Sequence, residues 1–235
     1  MIPKVKKPSL FLFMTEGMRG VWDRIRSWSF RRNHKKLPKG DGHPVLVIPG
    51  LLSNDLVTKP LRTVLEHLNY KVYGWGLGIN LANLDEVEIL NKTLHTIYKT
   101  HGEKVSIIGW SLGGLYMRKI CADNLDKVRQ MITLGTPFRS LDAQGAALTT
   151  LKILYRSNEI PIPPEHKHWV DKLKDPLPIQ TTCLYSKKDG IVPWTLCKES
   201  IEDEMHRNIE IVSSHTGMVS NIQAIKQILK CLKYY

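Results

Sequence analysis

The sequence predicts an α/β domain with a mostly parallel central sheet and helices on both faces. Three observations carry this. Short apolar runs such as Val45-Leu46-Val47-Ile48 lack polar alternation, as strands buried on both faces require. Stretches with apolar residues at helical spacing lie between such runs, so strand and helix patterns alternate along most of the chain. The third is Gly109-Trp110-Ser111-Leu112-Gly113-Gly114, set between the strand-like Lys104–Ile108 and the helix-like Leu115–Ile120. At 235 residues the chain is long enough for one large core, with no internal repeat and no low-complexity tract.

The formal charge of +12 is unevenly placed. Residues 1–40 hold eleven Lys or Arg against two acids, whereas the remaining residues hold 23 against 20. The basicity therefore belongs to an N-terminal segment, 1–40, ahead of a nearly balanced body, 41–235. This weakens a nucleic-acid reading, which needs a basic face on the domain itself. Within the segment, Met14, Met18, Val21 with Trp22, Ile25 and Trp28 recur at steps of four, three, four and three, one face of a helix. Leu10–Met14 is apolar but too short for a membrane span or a signal-peptide core. Three readings stay open for this helix. It docks on the domain by its apolar face, it lies in a membrane interface through residues 8–36, or it meets a partner protein. Residues 35–44, with Pro38, Gly40 and Gly42, read as a turn-rich link.

The body opens with strand 45–48 and the loop Pro49-Gly50-Leu51-Leu52-Ser53. Leu61, Val64, Leu65 and Leu68 mark a helix face, and Lys71-Val72-Tyr73 a short strand. Gly74-Trp75-Gly76-Leu77-Gly78 follows. It lacks both the glycine spacing and the downstream acid of a dinucleotide loop, so no nucleotide cofactor is expected. Leu84, Val87, Leu90, Leu94 and Ile97 give an amphipathic helix leading to the glycine–serine turn. Beyond it come strand Met131–Leu134, then Gly135-Thr136-Pro137-Phe138, then a break in the alternation from Ser140 to Pro178. His166-Lys167-His168 beside Glu165 reads as a solvated proline-rich loop, so no metal site is expected. Strand 179–185 leads into Lys188-Asp189-Gly190-Ile191-Val192-Pro193, and strand 208–212 into Ser213-Ser214-His215-Thr216. Ile222, Ile225, Leu229 and Leu232 define the last helix. Four cysteines form no Cys-x-x-Cys pair and read as reduced thiols, with a cytoplasmic setting, peripheral to a membrane if the N-terminal helix binds one.

Strand, Gly-X-Ser-X-Gly, helix: this context resembles the nucleophile elbow of the α/β-hydrolase family, lipase- and esterase-like members in particular. The physics fits. A serine on so sharp a turn needs glycines two residues to either side, because side chains there strike the neighbouring strand and helix. The resemblance implies a serine–acid–histidine order, matched here by Ser111, Asp189 and His215, with His206 the nearest rival for the histidine. It implies an oxyanion hole from the backbone N–H groups of Leu51 and Leu112, although Pro49 stands where a histidine is common and leaves Leu51 or Leu52 open as the first donor. It also implies a small cap at about 140–178. An acyl pocket is expected among Leu52, Trp75, Leu77 and Trp110. Three functional classes follow: a hydrolase of small-molecule or lipid carboxylic esters through an acyl-enzyme, an acyltransferase on the same residues, or a non-enzymatic interaction protein on the same fold.

Overall fold

The computed structural model describes residues 7–32, 37, 39–139 and 164–234. Most of the expected cap (140–163), much of the link (33–36 and 38), and the side chains of Glu165, His166 and Lys167 lie outside the described residues.

Among the described residues six strands form one sheet: β1 (Pro44–Ile48), β2 (Lys71–Tyr73), β3 (Val105–Trp110), β4 (Val128–Leu134), β5 (Gln180–Tyr185) and β6 (His206–Glu210). Their order is β2-β1-β3-β4-β5-β6, and every pairing is parallel. The central strands are buried throughout, as their unbroken apolar runs demand. Period-two alternation then sorts their side chains to opposite faces. Leu46, Ile48 and Ile107 join one core with helices α4 (Glu86–His101) and α5 (Leu112–Asp123). Val45, Val47 and Ile108 join the other, with α3 (Asp55–His67) and α7 (Ile222–Tyr234). Each such Leu or Ile contributes about 1.5–3 kcal/mol on burial, so the sheet is a rigid base for the loops at its C-terminal edge.

One buried ion pair interrupts the apolar packing of α5. Arg118 Nη1 donates to Glu199 Oε1 at 2.5 Å, while Nε and Nη2 donate to the carbonyls of Leu173 and Asp175. The guanidinium also lies 3.9 Å over the Phe138 ring. This ties α5 to the segment after α6 (Pro164–Lys172) and to the loop before β6.

β6 begins two residues earlier than its apolar content suggests. It is a sheet edge, and backbone pairing from Thr181↔His206 to Tyr185↔Glu210 sets its position rather than hydrophobicity.

The N-terminal segment forms α1 (Leu10–Met14), capped by Ser9 Oγ, and α2 (Glu16–Arg32). The pair docks with an unexpected face. Glu16, Gly20 and Ser27 are buried and Asp23 is half-buried, whereas Met14, Met18, Val21, Trp22, Ile25 and Trp28 are exposed. The buried positions 16, 20, 23 and 27 also follow four–three spacing, about 180° around the helix from the apolar stripe. Small size explains the fit: any Cβ on Gly20 would strike Thr216. No helix among the described residues is long and apolar enough to cross a membrane.

Candidate active site

Ser111 sits between the C-terminus of β3 and the N-terminus of α5, with φ 52° and ψ −122°. That is left-handed backbone, costly for a serine and stable only where the surroundings over-determine it. They do so through close backbone contacts. A Cβ on Gly109 would lie 2.5 Å from Gly114 Cα, and one on Gly113 would lie 2.5 Å from the carbonyls of Ile48 and Pro49. Glycine is therefore required at both positions, and the end of β1 is brought against the turn. The Ser111 N–H donates to Leu134 O at 2.9 Å, pinning the turn to β4 as well.

The sheet brings two further side chains to this point. His215 Nε2 is 2.9 Å from Ser111 Oγ, and His215 Nδ1 is 2.6 Å from Asp189 Oδ2. All three residues are at most 7% exposed. The other carboxylate oxygen, Asp189 Oδ1, accepts the N–H groups of Ile191 and Val192 at 2.8 and 2.7 Å, which fixes the orientation of the carboxylate. Trp110 Nε1 donates to the His215 carbonyl at 3.1 Å. A Cβ on Gly135 would lie 2.9 Å from Met218 Sδ and 3.2 Å from His215 Nδ1. Burial alone would lower the pKa of His215. The Asp189 charge and hydrogen bond, with the Glu16 charge, outweigh it and raise the pKa above its ordinary value.

A clamp from the N-terminal segment holds both loops, and sequence reasoning missed it. Glu16 Oε2 accepts the N–H of Gly190 at 2.9 Å, and Oε1 accepts the N–H of Thr216 at 2.8 Å. Asp23 in turn accepts from Ser213 Oγ at 3.1 Å and from Asn221 Nδ2 at 3.0 Å. The available signal was the stripe 16, 20, 23, 27, in which two acids and two small residues share one helix face.

The expected oxyanion donors lie at the mouth of this turn. Leu112 opens α5, where orphan N–H groups and the positive end of the helix dipole favour an anion. In the β1 loop, a Cβ on Gly50 would sit 3.0 Å from Ser111 Cβ, so this backbone abuts the serine. The Leu52 N–H is committed to Asn80 O at 2.8 Å, which leaves Leu51 as the better placed donor. Of the expected pocket residues, Leu52 is exposed and Leu77 half-buried. Trp75 is a core residue stacked on Tyr116, and Trp110 is buried against His215. Ile79 and Leu81, not singled out by the sequence, are exposed on the loop that Asn80 bonds to Leu52 and Ser53.

Among the described residues, three rivals to this group fall away. His206 is buried at the start of β6, between Asp203 and Leu177 O. The four cysteines are free and buried, and burial pushes the Cys183 thiol up to about 12. A second Ser–His–Asp chain exists at the opposite end of β3. His43 Nε2 is 2.8 Å from Ser106 Oγ and Nδ1 is 2.5 Å from Asp41. Ser106, however, is wholly buried within β3, and burial, opposed by Asp41, lowers the His43 pKa. That chain satisfies buried polar groups and has no room for a substrate. A cleft of about 260 Å³ beside α5 is lined by Arg118, Lys119, His168 and Trp169, and includes none of the Ser111 group.

Sequence comparison finds no matching family model and no matching curated protein. Comparison of folds finds many. The Bacillus licheniformis lipase BlEst2 in mature form is 15% identical with a TM-score of 0.59, over 84% of this chain and 95% of that one. A monoacylglycerol lipase of Paleococcus ferrophilus is 15% identical with a TM-score of 0.58, over 83% and 95%. Aspergillus fumigatus lipase B is 16% identical with a TM-score of 0.58, over 78% of this chain; this chain spans only 51% of that larger protein. At such identities the likeness shows the fold alone: the chain has the α/β-hydrolase fold.

Proposed function

We propose that the protein is a serine hydrolase that cleaves carboxylic esters through an acyl-enzyme on Ser111. The observation that carries this is the unbroken chain Ser111 Oγ–His215 Nε2–His215 Nδ1–Asp189 Oδ2, at 2.9 and 2.6 Å, on a strained strand-to-helix turn. A neutral hydroxyl is a weak nucleophile and needs a base within hydrogen-bond reach. His215 takes the Ser111 proton as Oγ attacks the ester carbonyl. Asp189 keeps the Nδ1–H tautomer and stabilises the imidazolium that forms. The tetrahedral oxyanion accepts from the N–H groups of Leu51 and Leu112, an interaction worth about 3–4 kcal/mol per donor in other enzymes. His215 then returns the proton to the departing alkoxide, and the alcohol leaves. Water enters, gives a proton to His215 and attacks the acyl carbonyl. Collapse of this second intermediate returns the proton to Ser111 Oγ and releases the acid.

Exposed Leu52, Ile79 and Leu81 beside the donor loop support an apolar acyl group, as do the lipases found among the fold neighbours. The buried free thiols fit a reducing, cytoplasmic compartment. Hydrolysis of a panel of p-nitrophenyl esters from two to twelve acyl carbons tests the proposal. Turnover by the native chain and its loss in Ser111→Ala support it, whereas undiminished turnover by the variant refutes it.

A further inference from the structure

The N-terminal helices are amphipathic the wrong way round for a docked helix. Phe11, Met14, Met18, Trp22, Ile25 and Trp28 are each between 58% and 75% exposed, while the polar stripe is buried against the body. Single exposed apolar residues need no explanation, but a continuous face of aromatics and methionines does. Charge is sorted with equal consistency. The two acids within residues 1–40 are Glu16 and Asp23, and both turn inward to bond the body. The outward surface is thus left apolar and cationic, with Arg24 and Arg26 exposed beside the apolar stripe. A second copy of this chain would set two such cationic segments face to face, which is repulsive. An anionic bilayer surface fits both halves of the pattern.

We propose that the outward face of α1 and α2 docks in the headgroup region of an anionic lipid bilayer, with α2 lying in the membrane plane. The apolar stripe enters the acyl boundary, and the cations stay at headgroup level. The test is flotation of the full chain with phosphatidylcholine vesicles, with and without 30% phosphatidylglycerol. Binding at least tenfold tighter to the anionic vesicles is expected, weakening at least tenfold as salt rises from 0.05 to 0.5 M. Met18→Glu/Trp22→Glu, and separately Phe11→Glu, should each lower the affinity tenfold or more while circular dichroism stays native. The proposal is overturned if the wild-type chain does not float, or if correctly folded variants float equally well. Dimerisation of the wild type that these variants abolish, without vesicle binding, also overturns it and assigns the face to a second copy.

A separate observation concerns the inward face. Glu16 bonds the backbone of Gly190 and Thr216, the residues that immediately follow Asp189 and His215. Arg19 Nη2 holds the same carboxylate at 2.9 Å, while Arg19 Nη1 bonds Lys188 O. One carboxylate from α2 therefore fixes the spacing of the two loops whose side chains must meet. We infer that Glu16 is a positioning residue for the Asp189–His215 pair, an inference that rests on the function proposed above. The charged groups packed about the histidine loop are Asp189, Glu16 with its partner Arg19, and Asp23, and the negative charge of Glu16 favours the imidazolium.

Glu16→Gln keeps the size and loses the charge and one acceptor. Its kcat should fall about tenfold with KM within twofold, and the acidic limb of kcat/KM should move to lower pH. A purely structural role would lower thermal stability and leave that limb in place. An unmoved limb with native kcat overturns the inference. Should Glu16→Gln fail to fold, Arg19→Gln is measured instead: loss of that cation should move the limb to higher pH, and an unmoved limb has the same overturning force. If the wild-type chain itself turns over no ester, the proposed function fails rather than this assignment.

Discussion

Asp189→Asn discriminates a working proton relay from a merely well-packed cluster, and the structure dictates how the new amide must sit. Asp189 Oδ1 accepts two backbone N–H groups, from Ile191 and Val192. An asparagine must therefore place its carbonyl oxygen on that side, since its NH2 group would there face two donors. The NH2 group is forced toward His215 Nδ1, where Asp189 Oδ2 now stands at 2.6 Å. It donates to Nδ1, so the imidazole proton moves to Nε2, the atom that faces Ser111 Oγ at 2.9 Å. A protonated Nε2 cannot accept the serine proton. In other triads this tautomer error costs about 10⁴ in rate, or roughly 5.4 kcal/mol of barrier. The assay is kcat/KM for a soluble p-nitrophenyl ester at pH 8, with circular dichroism to show that the fold is kept. A folded variant that loses less than tenfold would refute the reasoning and require another carboxylate or another base.

Other expectations follow from the same geometry. The acidic limb of kcat/KM should lie above pH 6.5, because only neutral imidazole is a base and the His215 pKa is raised. The same raised pKa gives a stability contribution fully present below about pH 6.5 and lost as pH rises through the folded-state value, so stability from this pair should fall as activity grows; a limb below 6.5 contradicts both. Gly135→Ala puts a methyl group 3.2 Å from His215 Nδ1 at a residue with φ 56°, and should cut kcat at least tenfold by displacing the ring. Native activity in that variant would show that the ring has room. Arg118→Met leaves the buried Glu199 carboxylate without its ion pair and should destabilise the fold by about 3–5 kcal/mol, lowering Tm by roughly 6–20 °C in a thermal melt.

How far the sequence could be read depended on the kind of interaction. The serine turn was legible because backbone sterics dictate its glycines, and Gly109 and Gly113 are indeed placed against other backbone. Asp189 and His215 were legible as polar turns following late strands, in the serine, acid, histidine order that the resemblance implies, and the parallel sheet gathers such strand ends at one edge. Edge strand β6 was misplaced by two residues, since its half-exposed side chains carry little pattern. Trp75 shows that an aromatic next to glycines says little about which side of a loop it faces; here it stacks on Tyr116 in the core. The Glu16 clamp joins positions 174 and 200 residues apart, and no local pattern announces such a bond. Of the three readings open for α2, docking by its apolar face is the one the structure contradicts. A hydrophobic stripe normally marks the buried face, but specific polar bonds to the loops and the close approach at Gly20 decide the docking here.

The most direct measurement is covalent labelling by a fluorophosphonate, read by intact mass and by mapping of the modified peptide. A reactive serine at the turn predicts one adduct, on Ser111, that disappears in Ser111→Ala and slows about as much as ester turnover in Asp189→Asn. An unlabelled native chain, or an adduct that persists undiminished in Ser111→Ala, would contradict the account.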